Sequence, residues 1–68
     1  MSERCEGIVQ FYSSAEGYGF VVPHGRKEPL YLTADDIDAE RRVLSEGQLV
    51  SFVIELGQGR FVARNVRP

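Results

Sequence analysis

Five short runs rich in β-branched and aromatic residues, each bounded by glycine, proline or small polar residues, leave this chain almost no room for a helix. The runs are residues 7–12, 18–22, 30–33, 48–56 and 60–66. Turns are marked by Ser13-Ser14-Ala15-Glu16-Gly17, by the segment from Pro23 to Pro29, and by Gly57-Gln58-Gly59. Only residues 34–47 have the length for a helix, and there Ile37, Val43 and Leu44 are too sparse to make an apolar stripe. Thr33 and Asp36 have the spacing of a capping box, so one short helical turn followed by a loop is expected. Five strands and no substantial helix in 68 residues predict an all-β fold, a five-stranded antiparallel barrel. Closing the sheet removes edges that would otherwise invite aggregation.

The length fits one small domain over residues 1–68, near the lower limit at which a chain holds a core unaided. Cys5 is the only cysteine, so no internal disulfide forms, and no His/Cys cluster has metal spacing; no cofactor is expected. Asp35, Asp36, Asp38 and Glu40 lack the ligand spacing and mid-loop glycine of an EF-hand, and read as a solvated loop. Residues 1–6 carry no apolar run, so a signal peptide is not expected. No stretch approaches the ~20 apolar residues of a membrane helix, and a cytoplasmic protein without a membrane partner is the expectation. Eight basic against ten acidic residues give a net charge of -2, so no global basic excess draws nucleic acid. Seven of the eight cations are arginine, with Lys27 the exception, and arginine can stack on bases as well as pair with phosphate.

The aromatic residues carry the functional signal. Period two along Tyr18-Gly19-Phe20-Val21-Val22 puts Tyr18, Phe20 and Val22 on one face, with Gly17 and Gly19 bare between the rings. Such rings can fill a core or stand outside as a platform for bases. The next run decides. Leu30 and Leu32 share one face and Tyr31 and Thr33 the other, so inward leucines send Tyr31 outward, beside Tyr18 and Phe20 on a neighbouring strand. Phe11 and Tyr12 are adjacent, so an unbroken strand sends one inward and one outward. Residues 24–29 form an exposed loop carrying Arg26, Lys27 and a solvated His24. In the fourth run Val50, Phe52 and Ile54 make one apolar face; Leu49, Ser51 and Val53 make a second, greasier than solvent requires.

Taken in order, these residues resemble a bacterial cold-shock domain, a small five-stranded barrel of the OB-fold type, over residues 7–67. The family's lysine-glycine-phenylalanine-glycine-phenylalanine motif stands here as Glu16-Gly17-Tyr18-Gly19-Phe20. Its valine-phenylalanine-valine-histidine motif is similar to Leu30-Tyr31-Leu32-Thr33, and its opening glycine-x-valine-lysine-tryptophan-phenylalanine-asparagine run to Gly7-Ile8-Val9-Gln10-Phe11-Tyr12-Ser13. Leu44 to Phe52 and Ala63-Arg64-Asn65-Val66 resemble its later segments. The first motif also resembles the RNP1 of RNA-recognition motifs, but that fold needs two long helices this chain has no room for.

The resemblance implies a single-stranded nucleic-acid binder, RNA or DNA, with no catalysis and no small-molecule substrate. Its stacking platform becomes Phe11, Tyr18, Phe20 and Tyr31, with Gln10 and Thr33 at family contact positions. Arg26, Lys27, Arg60 and Arg41 are candidates for phosphate contacts at the margins. Thr33 and Ala34 stand where the family has a histidine and an aromatic, and Glu16 and Gln10 where it has lysines. Each base–aromatic stack is worth ~1–3 kcal/mol, so two lost platforms imply roughly 2–6 kcal/mol less binding energy, a weakened or retargeted binder. A monomer is expected. The alternative is a protein-interaction or weak self-association module through the Leu49/Val53 face, with Phe61 as a further contact. An enzyme has little support: Ser13, Ser14, Ser45 and Ser51 share one histidine without motif context, and Cys5 lies next to the acidic Glu6.

Overall fold

The structure, a computed structural model, describes residues 4–68; residues 1–3 of the segment read as lacking a signal peptide lie outside the described residues. Five strands, β1 (Cys5–Ser13), β2 (Tyr18–Pro23), β3 (Leu30–Thr33), β4 (Leu49–Leu56) and β5 (Phe61–Arg67), close into a barrel in the order β1-β2-β3-β5-β4. Four of the pairings are antiparallel. The exception to the antiparallel expectation is the β3/β5 seam, a parallel contact with the single registered pair Tyr31↔Val62. The 3-10 turn, the segment that follows it and β4 all lie between β3 and β5 in the chain, so no hairpin fixes their relative direction.

Alternation sorts the side chains much as period two predicts. Val9, Val21, Leu32, Val50, Phe52 and Val66 are almost wholly buried and form the barrel interior. Leu30 and Leu32 point inward and leave Tyr31 and Thr33 on the outer surface. Residues 34–48 contribute one 3-10 turn, Ala34–Asp36, and an irregular segment whose Ile37 and Leu44 join the core cluster.

Two bulges break the alternation, and both matter outside the barrel. Between Val9 and Phe11, β1 carries one residue more than β2 opposite it, so Gln10 and Phe11 are both exposed. Counted from buried Val9, an unbroken strand would have sent Phe11 inward. Instead Tyr12 packs against the core, its hydroxyl donating to the Arg42 carbonyl at 3.0 Å. Burial pushes the Tyr12 phenol pKa up, with the Arg42 cation opposing. The second bulge lies in β5, where Asn65 adopts φ 51° and lets Arg64 and Asn65 both face out between buried Ala63 and Val66. Asparagine tolerates that left-handed conformation better than most residues.

Gly19 is what lets β1 bulge so close to β2. An added methyl there would lie 2.9 Å from Tyr12 Cα and closer still to the Phe11 carbonyl oxygen. Gly19 is therefore a buried point of close approach, beyond merely keeping the rings apart.

The thin β3/β5 seam is reinforced by charge. Asp36 accepts from the Thr33 amide at 2.9 Å, from the Thr33 hydroxyl at 3.1 Å and from Arg64 Nη1 at 2.7 Å. The expected capping spacing thus closes, but Asp36 is buried, against the solvated-loop reading of the acidic run. Asp36, with Glu55 adding to its effect, holds the Arg64 guanidinium pKa above its ordinary value. A second pair, Arg67–Asp38 at 2.9 Å, is exposed on both sides and contributes little by itself.

Two stability outcomes follow from this packing. Gly19→Ala is expected to lose about 1–3 kcal/mol through overpacking at the β1 bulge, measured by urea unfolding; wild-type stability would mean the strands have room there. Asp36→Ala is expected to lose about 1–3 kcal/mol by leaving the Thr33 amide without its partner. An unchanged urea midpoint would remove that anchor.

Candidate nucleic-acid interface

The four rings expected to share a surface do share one. Phe11 is 36% exposed at the β1 bulge, and Tyr18, Phe20 and Tyr31 are half-buried on the outer faces of β2 and β3. Strand register explains the meeting: Phe11 pairs with Phe20, and Phe20 with Tyr31, across three adjacent strands. Ring centroids lie 5.7 Å apart for Phe11–Tyr18, 6.1 Å for Tyr18–Phe20, 6.0 Å for Tyr18–Tyr31 and 5.8 Å for Phe20–Tyr31. Tyr18 and Tyr31 are near parallel at 26°, while Phe20 meets both tyrosines edge to face. Edge-to-face contacts lock rings through their quadrupoles, so the platform is preorganised.

The polar neighbours divide. Gln10 is exposed at the bulge next to Phe11, while Thr33 is half-buried and registered with Tyr18. The Thr33 hydroxyl proton is committed to Asp36, which leaves only its oxygen as an acceptor toward the platform.

The cations gather at the other end. Arg26, Lys27 and Arg60 line one groove of about 600 Å3 together with Phe20 and Tyr31. Arg60 lies over Tyr31 with its guanidinium carbon 4.3 Å from the ring centroid, a cation–π contact worth about 0.5–1 kcal/mol at an exposed site. Glu28 is the one acid lining that groove, so a chain of net charge -2 presents a locally positive margin there. Arg41 is exposed in the segment after Ile37 and does not line the groove.

Three residues of β5 lie beside the rings without having been read as their neighbours. Phe61, assigned to an apolar contact patch, lines the same groove as Phe20 and Tyr31. Val62 and Arg64 border Tyr31 and Thr33 in a smaller recess, because β5 closes the barrel against β3. The signal for them was topological: in a closed barrel the last strand must meet a strand far from it in sequence. The Leu49/Val53 face, in contrast, is interrupted. Leu49 is exposed, Val53 is half-buried, and Arg4 lies against Ser51 between them, donating to the Ser51 carbonyl at 3.0 Å and to the Asn65 carbonyl. Among the described residues no group of acidic, histidine or cysteine side chains could hold a metal ion, and no helix is long and apolar enough to cross a membrane.

Comparison with known proteins places this geometry. Residues 5–68 match the model of the 'Cold-shock' DNA-binding domain. Cold shock protein CapA of Pseudomonas fragi is 39% identical over 59 residues, covering 85% of this chain and 92% of that protein. Cold shock-like protein CspG of Escherichia coli is 34% identical over 67 residues, 97% of this chain and 96% of that protein. Among solved structures, Drosophila Unr CSD456 superposes with a TM-score of 0.80 at 18% identity, a likeness of fold alone. The match covers 97% of this chain and 26% of that longer one. With its barrel, its outward rings and a family match that runs nearly end to end, this chain belongs to the cold-shock DNA-binding domain family.

Proposed function

We propose that this protein binds single-stranded nucleic acid, RNA or DNA, by stacking unpaired bases on Phe11, Tyr18, Phe20 and Tyr31. Arg26, Lys27 and Arg60 take phosphates at one margin, and Gln10 and Thr33 offer polar contacts beside the rings. The observation that carries this reading is the cluster of four outward rings, with neighbouring centroids 5.7–6.1 Å apart on three adjacent strands. A duplex hides the faces of its bases, whereas a single strand offers them to such a surface. Stacking and phosphate contacts act on ribose and deoxyribose strands alike. The relatives are named for cold shock and the family description names DNA, and both support this reading. The reading involves no chemical step and no small-molecule substrate, and it takes the protein to act as a cytoplasmic monomer.

Two features tune the affinity downward. The surface has Thr33 and Ala34, not rings, at the far end of β3, and Arg60 already rests on Tyr31. A base arriving at Tyr31 must displace that guanidinium or stack upon it.

Titration with oligothymidine, followed by tyrosine fluorescence and amide shifts, is the direct test. Tyr18→Ala and Phe20→Ala are each expected to weaken binding by ~1–3 kcal/mol, about fivefold to 150-fold. Wild-type protein that shows no shift at Tyr18, Phe20 or Tyr31 at high micromolar oligonucleotide would sink the proposal. The salt dependence is expected to be shallow: three cations at about -0.7 each give a slope near -2 for a single strand. A much steeper slope would mean that cations elsewhere hold the strand.

A further inference from the structure

We propose that the groove between residues 24–29 and the β4–β5 hairpin is a separate subsite for one further nucleotide, its base stacked on Phe61 and its two flanking phosphates held one each by Arg26 and Lys27. This rests on the reading above that the outer face takes unpaired bases. Phe61 is 59% exposed, and its register partner Leu56 is 70% exposed, so the hairpin holds a large ring in water that contributes little to the core. One exposed ring is ordinary by itself; Phe61 gains weight because it shares its groove with two platform rings, Phe20 and Tyr31, and with Arg26, Lys27 and Arg60.

The chemistry of the groove selects a nucleotide as its occupant. Phe20 and Tyr31 belong to both the platform and the groove, so a strand leaving the platform enters the groove without crossing bare polar surface. Three cations face one acid there, which favours a phosphate over an acidic or neutral apolar surface. The volume of about 600 Å3 falls within the range of small-ligand sites, roughly 300–1,000 Å3. Position matters as well. The groove lies at the Leu30 end of β3, whereas the ring-less Thr33 and Ala34 lie at the other end. The stacking surface is thus shortened at one end and lengthened at the other, and the bound strand is displaced toward the hairpin.

The test compares oligothymidines of about four and about eight nucleotides, one confined to the four rings and one long enough to reach the hairpin. Phe61→Ala is expected to weaken the longer oligonucleotide about fivefold to 150-fold and to leave the shorter one unchanged. Arg26→Gln with Lys27→Gln is expected to flatten the salt slope of the longer one by about 1.4. The chain has no tryptophan, so Phe61→Trp supplies a unique fluorophore, expected to be quenched by the longer oligonucleotide only. If the wild type binds both lengths and Phe61→Ala changes neither, or weakens both equally, the subsite is overturned and the four-ring reading survives. If the wild type binds neither length, both readings fall. A Phe61→Ala protein whose only change is lost self-association in the ultracentrifuge would assign the ring to a protein contact and overturn the subsite.

Discussion

Between Val9 and Phe11 the first strand fits one more residue than its neighbour, and the outer surface of the barrel depends on that mismatch. An extra residue in one strand inverts the facing of everything beyond it. Here the inversion turns Phe11 out to join Tyr18 and turns Tyr12 in to pack against the core. The bulge in turn needs a glycine opposite, because β1 and β2 come closer at Gly19 than any side chain allows. A motif that looks like rings separated by spacers is therefore also a steric condition on the neighbouring strand.

Electrostatics follows the same economy. The chain is acidic overall, yet its charges are placed unevenly. Asp36 is spent inside, holding Arg64 and the Thr33 amide, and so links the 3-10 turn to the last strand. Arg26, Lys27 and Arg60 remain at the edge of the rings with Glu28 as the one acid among them. Net charge describes neither arrangement, which is why it was a poor guide to the partner.

Much of this was legible in the sequence. Strand positions followed from β-branched runs and their punctuation, and the outward facing of Tyr31 followed from its two flanking leucines. Alternation alone left open which of Phe11 and Tyr12 points outward, because it cannot register an inserted residue; the family resemblance is what put Phe11 on the platform. The placing of Phe61 and Arg64 was missed for a different reason: β3 and β5 meet only when the barrel closes, and local pattern says nothing about that contact. The burial of Asp36 was hidden in the same way, since its arginine partner lies 28 residues on.

The parallel join of β3 to β5 has a consequence of its own. With one registered backbone pair it is the least stitched line around the cylinder, and fluctuations of the closed form are expected to begin there. On the proposed reading, a polynucleotide lying from Tyr31 to Phe61 would run across this line and act as a clasp. Ligand occupancy and resistance to unravelling would then be one thermodynamic quantity seen from two sides.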